Sequence, residues 1–224
     1  MSDKIDKISI NDLLKELICS DDCKIYPWEQ LVIFPVANQS QILARGIRDE
    51  IRTKNYICAV SLLRNLIESA MILVYNTSIE KENEDEYFKQ LVDNGRLRRW
   101  SKSEKEWESV RDVHLIKQFK IATGLDIETQ YQNACDVLHF SIKHSQFVFV
   151  KNTKGPNSST IEIGESGPKM PQREYEIIQK LVYDLFYIIK TQIAVEIIQK
   201  RLKNNEKPSK IAKIVLGGRK IKYK

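Results

Sequence analysis

"QREYEIIQKLVYDLFYIIKTQIAVEIIQKRLKN", residues 172–204, decides how this chain is to be read. Ile177, Ile178, Leu181, Val182, Leu185, Phe186, Ile188, Ile189, Ile193, Val195, Ile197 and Ile198 recur at spacings of three and four, the period of an α-helix. The stretch follows Pro171 and runs unbroken to Asn204. At 1.5 Å per residue it makes a helix roughly 50 Å long. Apolar residues cover more than half of its circumference. Such a helix belongs at the centre of a bundle or in one half of a dimer interface.

Working outward, the preceding segments carry the same texture. "YICAVSLLRNLIESAMILVYN" (56–76) places Ile57, Val60, Leu63, Ile67, Ala70, Met71 and Val74 on a helical stripe. "SINDLLKELICSDD" opens with the capping residues Ser9, Asn11 and Asp12 and predicts a short amphipathic helix. "KIYPWEQLVIFPV" holds two prolines around an apolar run and reads as a connector or a short helical turn, and "ANQSQILARGIRDEIRTKN" reads as a helix. A helix is expected from about Glu84 to Asn94-Gly95, and another from a Ser103/Glu106 capping box to Thr123-Gly124. "DIETQYQNACDVLHFSIKHSQ" reads as a helix capped by Asp126. The texture then changes. "FVFVKNTKGPNSSTIEIGESGPKMP" surrounds a turn-rich centre with β-branched and aromatic pieces, which predicts a β-hairpin over about 146–165.

The expected fold is therefore all-α in the main, a helical bundle of six or seven helices with one inserted β-hairpin. Residues 1–206 are expected to form one domain, followed by a basic tail over 207–224. A chain of 224 residues, 42% apolar and 29% charged, can bury a sizeable core. Eight Gly and six Pro favour long elements over a turn-rich β fold. The net charge of +6 is uneven: residues 201–224 hold nine Lys/Arg and one acid, which leaves 27 basic and 29 acidic residues in 1–200. A cationic body built to bind nucleic acid is thereby excluded. With no apolar signal core at the N-terminus and no long uncharged apolar run, a soluble cytoplasmic protein without a membrane partner is expected. Cys19 and Cys23 are spaced C-x3-C with nothing to complete a zinc site. Cys58 and Cys135 fall on apolar helix faces, so free core thiols are expected.

Two segments carry chemistry. In "CDVLHFSIKHSQ" (135–146), Asp136 and His139 stand three apart and share a helix face. A carboxylate there can hold the imidazole in one tautomer for acid–base work, or simply satisfy a packed histidine. His144 lies five residues beyond His139, about 140° around a helix, so the two cannot share a metal. No HExxH is present, and neither metal nor cofactor is expected. In "SLLRNLIES" (61–69), Arg64 and Glu68 are one turn apart at the edge of an apolar face. Such a pair can snorkel and pair internally, or the arginine can meet a phosphate with its planar fork.

Taken together, "LLRNLIES", a variable charged section, "YQNACDVLHFS" and the terminal helix resemble the HEPN-like superfamily of bacterial helical-bundle proteins, over residues 40–204. HEPN domains are often encoded in toxin–antitoxin and phage-defence loci. The resemblance implies a homodimer, with Arg64, Glu68 and His139 at the positions of a groove that in active members cleaves RNA without metal. In that role His139 is the acid/base, Arg64 contacts the phosphate, and Glu68 or Asp136 orients them. The usual motif, an Arg followed four to six residues later by His in one helix, does not occur here. The resemblance therefore implies first a non-catalytic binding or dimerisation module with a possible partner protein, and second a metal-independent ribonuclease.

The remaining chain offers one more binding signal. "KIAKIVLGGRKIKYK" interleaves Lys213, Arg219, Lys220, Lys222 and Lys224 with aliphatic residues. It suits a phosphate backbone of RNA or another nucleic acid with salt-dependent affinity. It suits equally a solubilising end or an apolar strand that docks on a partner. No G-x-S-x-G or Walker A pattern is present.

Overall fold

In a computed structural model of the chain, residues 9–18, 26, 28–77, 84–94, 97–101, 105–138, 149–151, 159–161 and 171–203 are described. They form a mainly α-helical bundle with the expected hairpin between its last two helices. The helices are α1 (Ile10–Ile18), α2 (Phe34–Arg52), α3 (Tyr56–Thr77), α4 (Glu84–Asn94), α5 (Asp112–Thr123), α6 (Glu128–Leu138) and α7 (Gln172–Lys203). Two antiparallel hairpins join them, β1 (Arg98–Ser101) with β2 (Glu106–Ser109) and β3 (Phe149–Lys151) with β4 (Ser159–Ile161).

Helix ends follow local chemistry. Ser9 caps α1: its Oγ accepts from the Asp12 N–H at 3.1 Å and donates to Asp12 Oδ2 at 2.6 Å. Ahead of α2, Glu29–Ile33 forms a widened π turn in which the Phe34 N–H donates to Glu29 O. Pro35, which has no N–H to give, follows at this irregularity. The helix thus begins before Ala37, where the sequence pattern starts. At its far end α2 closes at Lys54, which takes a left-handed φ of 60°. Gly124 (φ 73°) ends α5 with its N–H on Lys120 O. Helix α6 begins at Glu128, with the Tyr131 N–H on Ile127 O. Asp126, just ahead of it, pairs with Lys120.

One expected helix start is corrected. Glu106–Ser109 is strand β2 rather than the first turns of a helix, and α5 starts at Asp112; Ser103 lies outside the described residues. Trp100 and Trp107 face each other across the hairpin in a T-shaped pair at 5.8 Å, and Arg99 meets Glu108 at 2.8 Å. These cross-strand pairs stabilise a hairpin. Glu106, the acid of the S-x-x-E spacing that suggests a capping box, is the first residue of β2.

Packing divides the chain into two compact units, one of Met1–Ala37, Met71–Asp126 and Ile189–Lys224, the other of Asn38–Ala70 and Ile127–Ile188. Helices α2, α3 and α7 contribute residues to both. In the first unit Ile10, Leu13, Ile33, Met71, Leu73, Tyr87 and Phe119 are fully buried, with Ile189, Ile193 and Ile197 of α7. Buried Glu29 accepts from Arg201 Nη2 at 2.9 Å. Lys200 lies 4.3 Å from the centre of the Trp28 ring and pairs with Glu196 at 3.2 Å. These contacts fix the end of α7 against the segment before α2. Ile189 and Ile193 are thus internal to the protomer, and that face of α7 is used up within the chain.

In the second unit Ile47, Ala59, Leu66, Ile67, Ile127, Tyr131 and Leu185 form the core. At Gly46 of α2 an added Cβ would stand 3.0 Å from Leu62 Cδ1 of α3, so the glycine permits the close approach of the two helices. Helix α3, with a mean hydropathy of 1.8 over its most apolar 18 residues, is long and apolar enough by composition to cross a membrane. That window is 56% buried within the protein. Cys58 on α3 is exposed, which corrects the expected core position, while Cys135 on α6 is half-buried; both thiols are free. Cys19 and Cys23 lie outside the described residues.

Candidate functional site

A polar cluster joins α3 to α6 inside the second unit. Arg64 and Glu68 stand one turn apart on α3; Tyr131 and Cys135 stand one turn apart on α6. Each pair therefore presents two side chains on one helix face. The Arg64 guanidinium lies between them. Its Nη1 donates to Glu68 Oε2 at 3.2 Å, its Nη2 to the Tyr131 hydroxyl at 3.3 Å, and its Nε to Cys135 Sγ at 3.4 Å. The guanidinium carbon lies 5.5 Å from the centre of the Tyr131 ring, within cation–π range.

The cluster is semi-enclosed: the Arg64 and Glu68 side chains are 23% and 32% exposed. Burial pulls the Arg64 pKa down, but the hydrogen bond to Cys135 and the field of Glu68 and Tyr131 outweigh it, and the net direction is up. Arg64 is a permanent cation here. All three of its nitrogens face protein acceptors, so its first chemical role is to tie α3 to α6.

The expected pairing of Arg64 with Glu68 is present. Tyr131 and Cys135, which complete the cluster, have a sequence signal only in hindsight: they are two hydrogen-bonding groups at i,i+4 on an apolar stripe. Asp136 accepts from Gln132 Nε2 at 3.2 Å one turn back. His139, together with His144, lies outside the described residues. So do Lys213, Arg219, Lys220, Lys222 and Lys224 of the tail. Among the described residues no cluster of three or more His, Cys, Asp or Glu could hold a metal ion.

Comparison with known proteins found no matching family model, no matching curated protein and no matching solved structure.

Proposed function

We propose that the chain is a non-catalytic binding and dimerisation module of HEPN-like type, working in a bacterial defence or toxin–antitoxin system. The observation that carries this reading is the engagement of Arg64. A phosphate-binding arginine presents an open edge of its fork to the ligand. In this cluster the Nε/Nη2 edge meets Cys135 and Tyr131, and Nη1 meets Glu68. A scissile phosphate would have to displace interactions that hold two helices together. The absence of an Arg-then-His spacing within one helix points the same way. The biological setting and the homodimer rest on the resemblance.

A second reading is favoured by the partial exposure of Arg64 and Glu68. In it the protein is a metal-independent ribonuclease, with His139 as acid/base and Glu68 or Asp136 as orienting groups.

Incubating a mixed RNA pool with the purified protein in EDTA, beside Arg64→Ala and His139→Ala, separates the two. The module reading expects no cleavage by any of the three. Cleavage by the wild type that both variants lack would overturn it.

A further inference from the structure

In the second unit, away from Arg64, α2 and α7 enclose a half-open groove of about 560 Å³. Small-molecule sites commonly fall between about 300 and 1,000 Å³. Buried Ile47 of α2 and half-buried Val182 and Phe186 of α7 give it an apolar interior. Val182 and Phe186 are one turn apart on α7, so they face the groove together. Tyr183, 58% exposed, stands beside them. Arg45 and Arg48, both exposed, stand three apart on α2 and share the face that lines the groove.

Among the described residues the lining holds two arginines and no acidic residue. The acid next along α2, Asp49, pairs with Arg52 at 3.5 Å. Two like charges at this helical spacing repel each other. They are placed at the border of an apolar hollow. An anion between the two guanidinium groups relieves that repulsion, and its oxygens match their planar forks. An apolar body attached to the anion covers Val182 and Phe186. A purely hydrophilic anion uses the first feature and a neutral hydrocarbon the second; an amphipathic anion uses both.

We propose that the α2–α7 groove is a binding site for a small amphipathic anion, with an oxyanion head on Arg45 and Arg48 and a medium-length hydrocarbon body along Val182, Tyr183 and Phe186. Carboxylate and phosphate heads share this chemistry. The proposal deepens the binding-module reading by giving the module a ligand class and a place to hold it.

Titration calorimetry on the full chain tests it, with decanoate, decyl phosphate, decanol, acetate and adenosine monophosphate, each kept below any micelle threshold. Decanoate or decyl phosphate is expected to bind one to one with a negative heat-capacity change, and the tighter of the two names the head group. Decanol and acetate are expected to bind at least about tenfold more weakly, the equivalent of one charge-assisted hydrogen bond. Arg45→Gln with Arg48→Gln should weaken binding by about tenfold or more for the same reason. Ala44→Phe, which fills the groove and leaves both arginines, should abolish it. Melting curves of these variants verify that they are folded. The proposal is overturned by decanol binding as well as decanoate, by adenosine monophosphate binding more tightly than either decyl probe, by a folded double variant with unchanged affinity, or by no binding of any probe. Arg64 takes no part in the groove. RNA cleavage lost with Arg64→Ala would therefore remove the module reading and leave the calorimetry unaffected, whereas silent calorimetry without cleavage would remove only the groove.

Discussion

Arg64 binds three different acceptors at once: a carboxylate, a phenol and a thiol. Its neighbour in sequence pattern, Glu68, is legible from i,i+4 spacing because both residues sit on one helix. Tyr131 and Cys135 are not legible in that way, since no spacing within a sequence states which turn of α6 meets which turn of α3. A second residue, His114, carries a prediction about pH. The Arg111 N–H donates to its Nδ1 at 3.4 Å, which requires that nitrogen unprotonated. Burial first, and then Arg99, Arg111 and Lys117, lower its pKa below the ordinary 6.5, with Glu108 opposing. In the unfolded chain the imidazole takes up a proton near pH 6.5, and in the folded protein only at lower pH. The unfolded state thus holds more protons across that interval. His114 therefore contributes stability above pH 6.5 that is lost as pH falls through its lowered folded value. Melting temperatures measured above and below that interval should show a smaller acid loss for His114→Gln than for the wild type; equal losses would remove His114 from the account.

Helices α3 and α7 were readable because their buried residues recur at three and four over many turns, and no local choice competes with that pattern. The β1–β2 hairpin was not. Its four-residue strands, "RRWS" and "EWES", are mostly polar, and the sequence Ser103 to Glu106 matches the spacing of a helix cap. What stabilises it is cross-strand pairing, Trp100 on Trp107 and Arg99 on Glu108, which becomes visible only with the register. The joint between α2 and α3 makes an element-scale prediction. Lys54 holds a φ of 60° there while its carbonyl accepts from the Tyr175 hydroxyl at 2.9 Å. A left-handed conformation costs a residue with a Cβ about 1 kcal/mol, and glycine nothing comparable. Lys54→Gly should raise unfolding stability by up to about 1 kcal/mol in urea titrations, since its side chain is exposed and only the backbone is used. A loss of stability would show that the side chain does more than the backbone geometry implies.

At the scale of the whole molecule, the Glu29–Arg201 pair connects residues 172 positions apart in sequence. Glu29 is fully buried and the Arg201 side chain only 10% exposed. Removing one member leaves the other charge buried without its partner, at a cost of about 3–5 kcal/mol. Glu29→Ala should therefore strongly destabilise the chain, while Glu29→Leu combined with Arg201→Met should recover most of the loss. A double variant no better than the single one would contradict this. The bundle itself was legible in the sequence, but the way α7 spends its apolar circumference was not. Its surplus of isoleucine suits the centre of a bundle or one half of a dimer interface, and Ile189 and Ile193 are buried within the chain. A helix apolar all round gives the same sequence pattern whether its partners belong to its own chain or to another.

The central claim is that Arg64 works as a tie between α3 and α6. The most direct test is a double-mutant cycle on Arg64→Ala and Tyr131→Phe, read by urea unfolding. A structural tie predicts a coupling energy of about 0.5–3 kcal/mol between the two sites, with Arg64→Ala alone clearly destabilising. Additive effects, or an Arg64→Ala variant as stable as the wild type, would contradict it and return the guanidinium to a ligand.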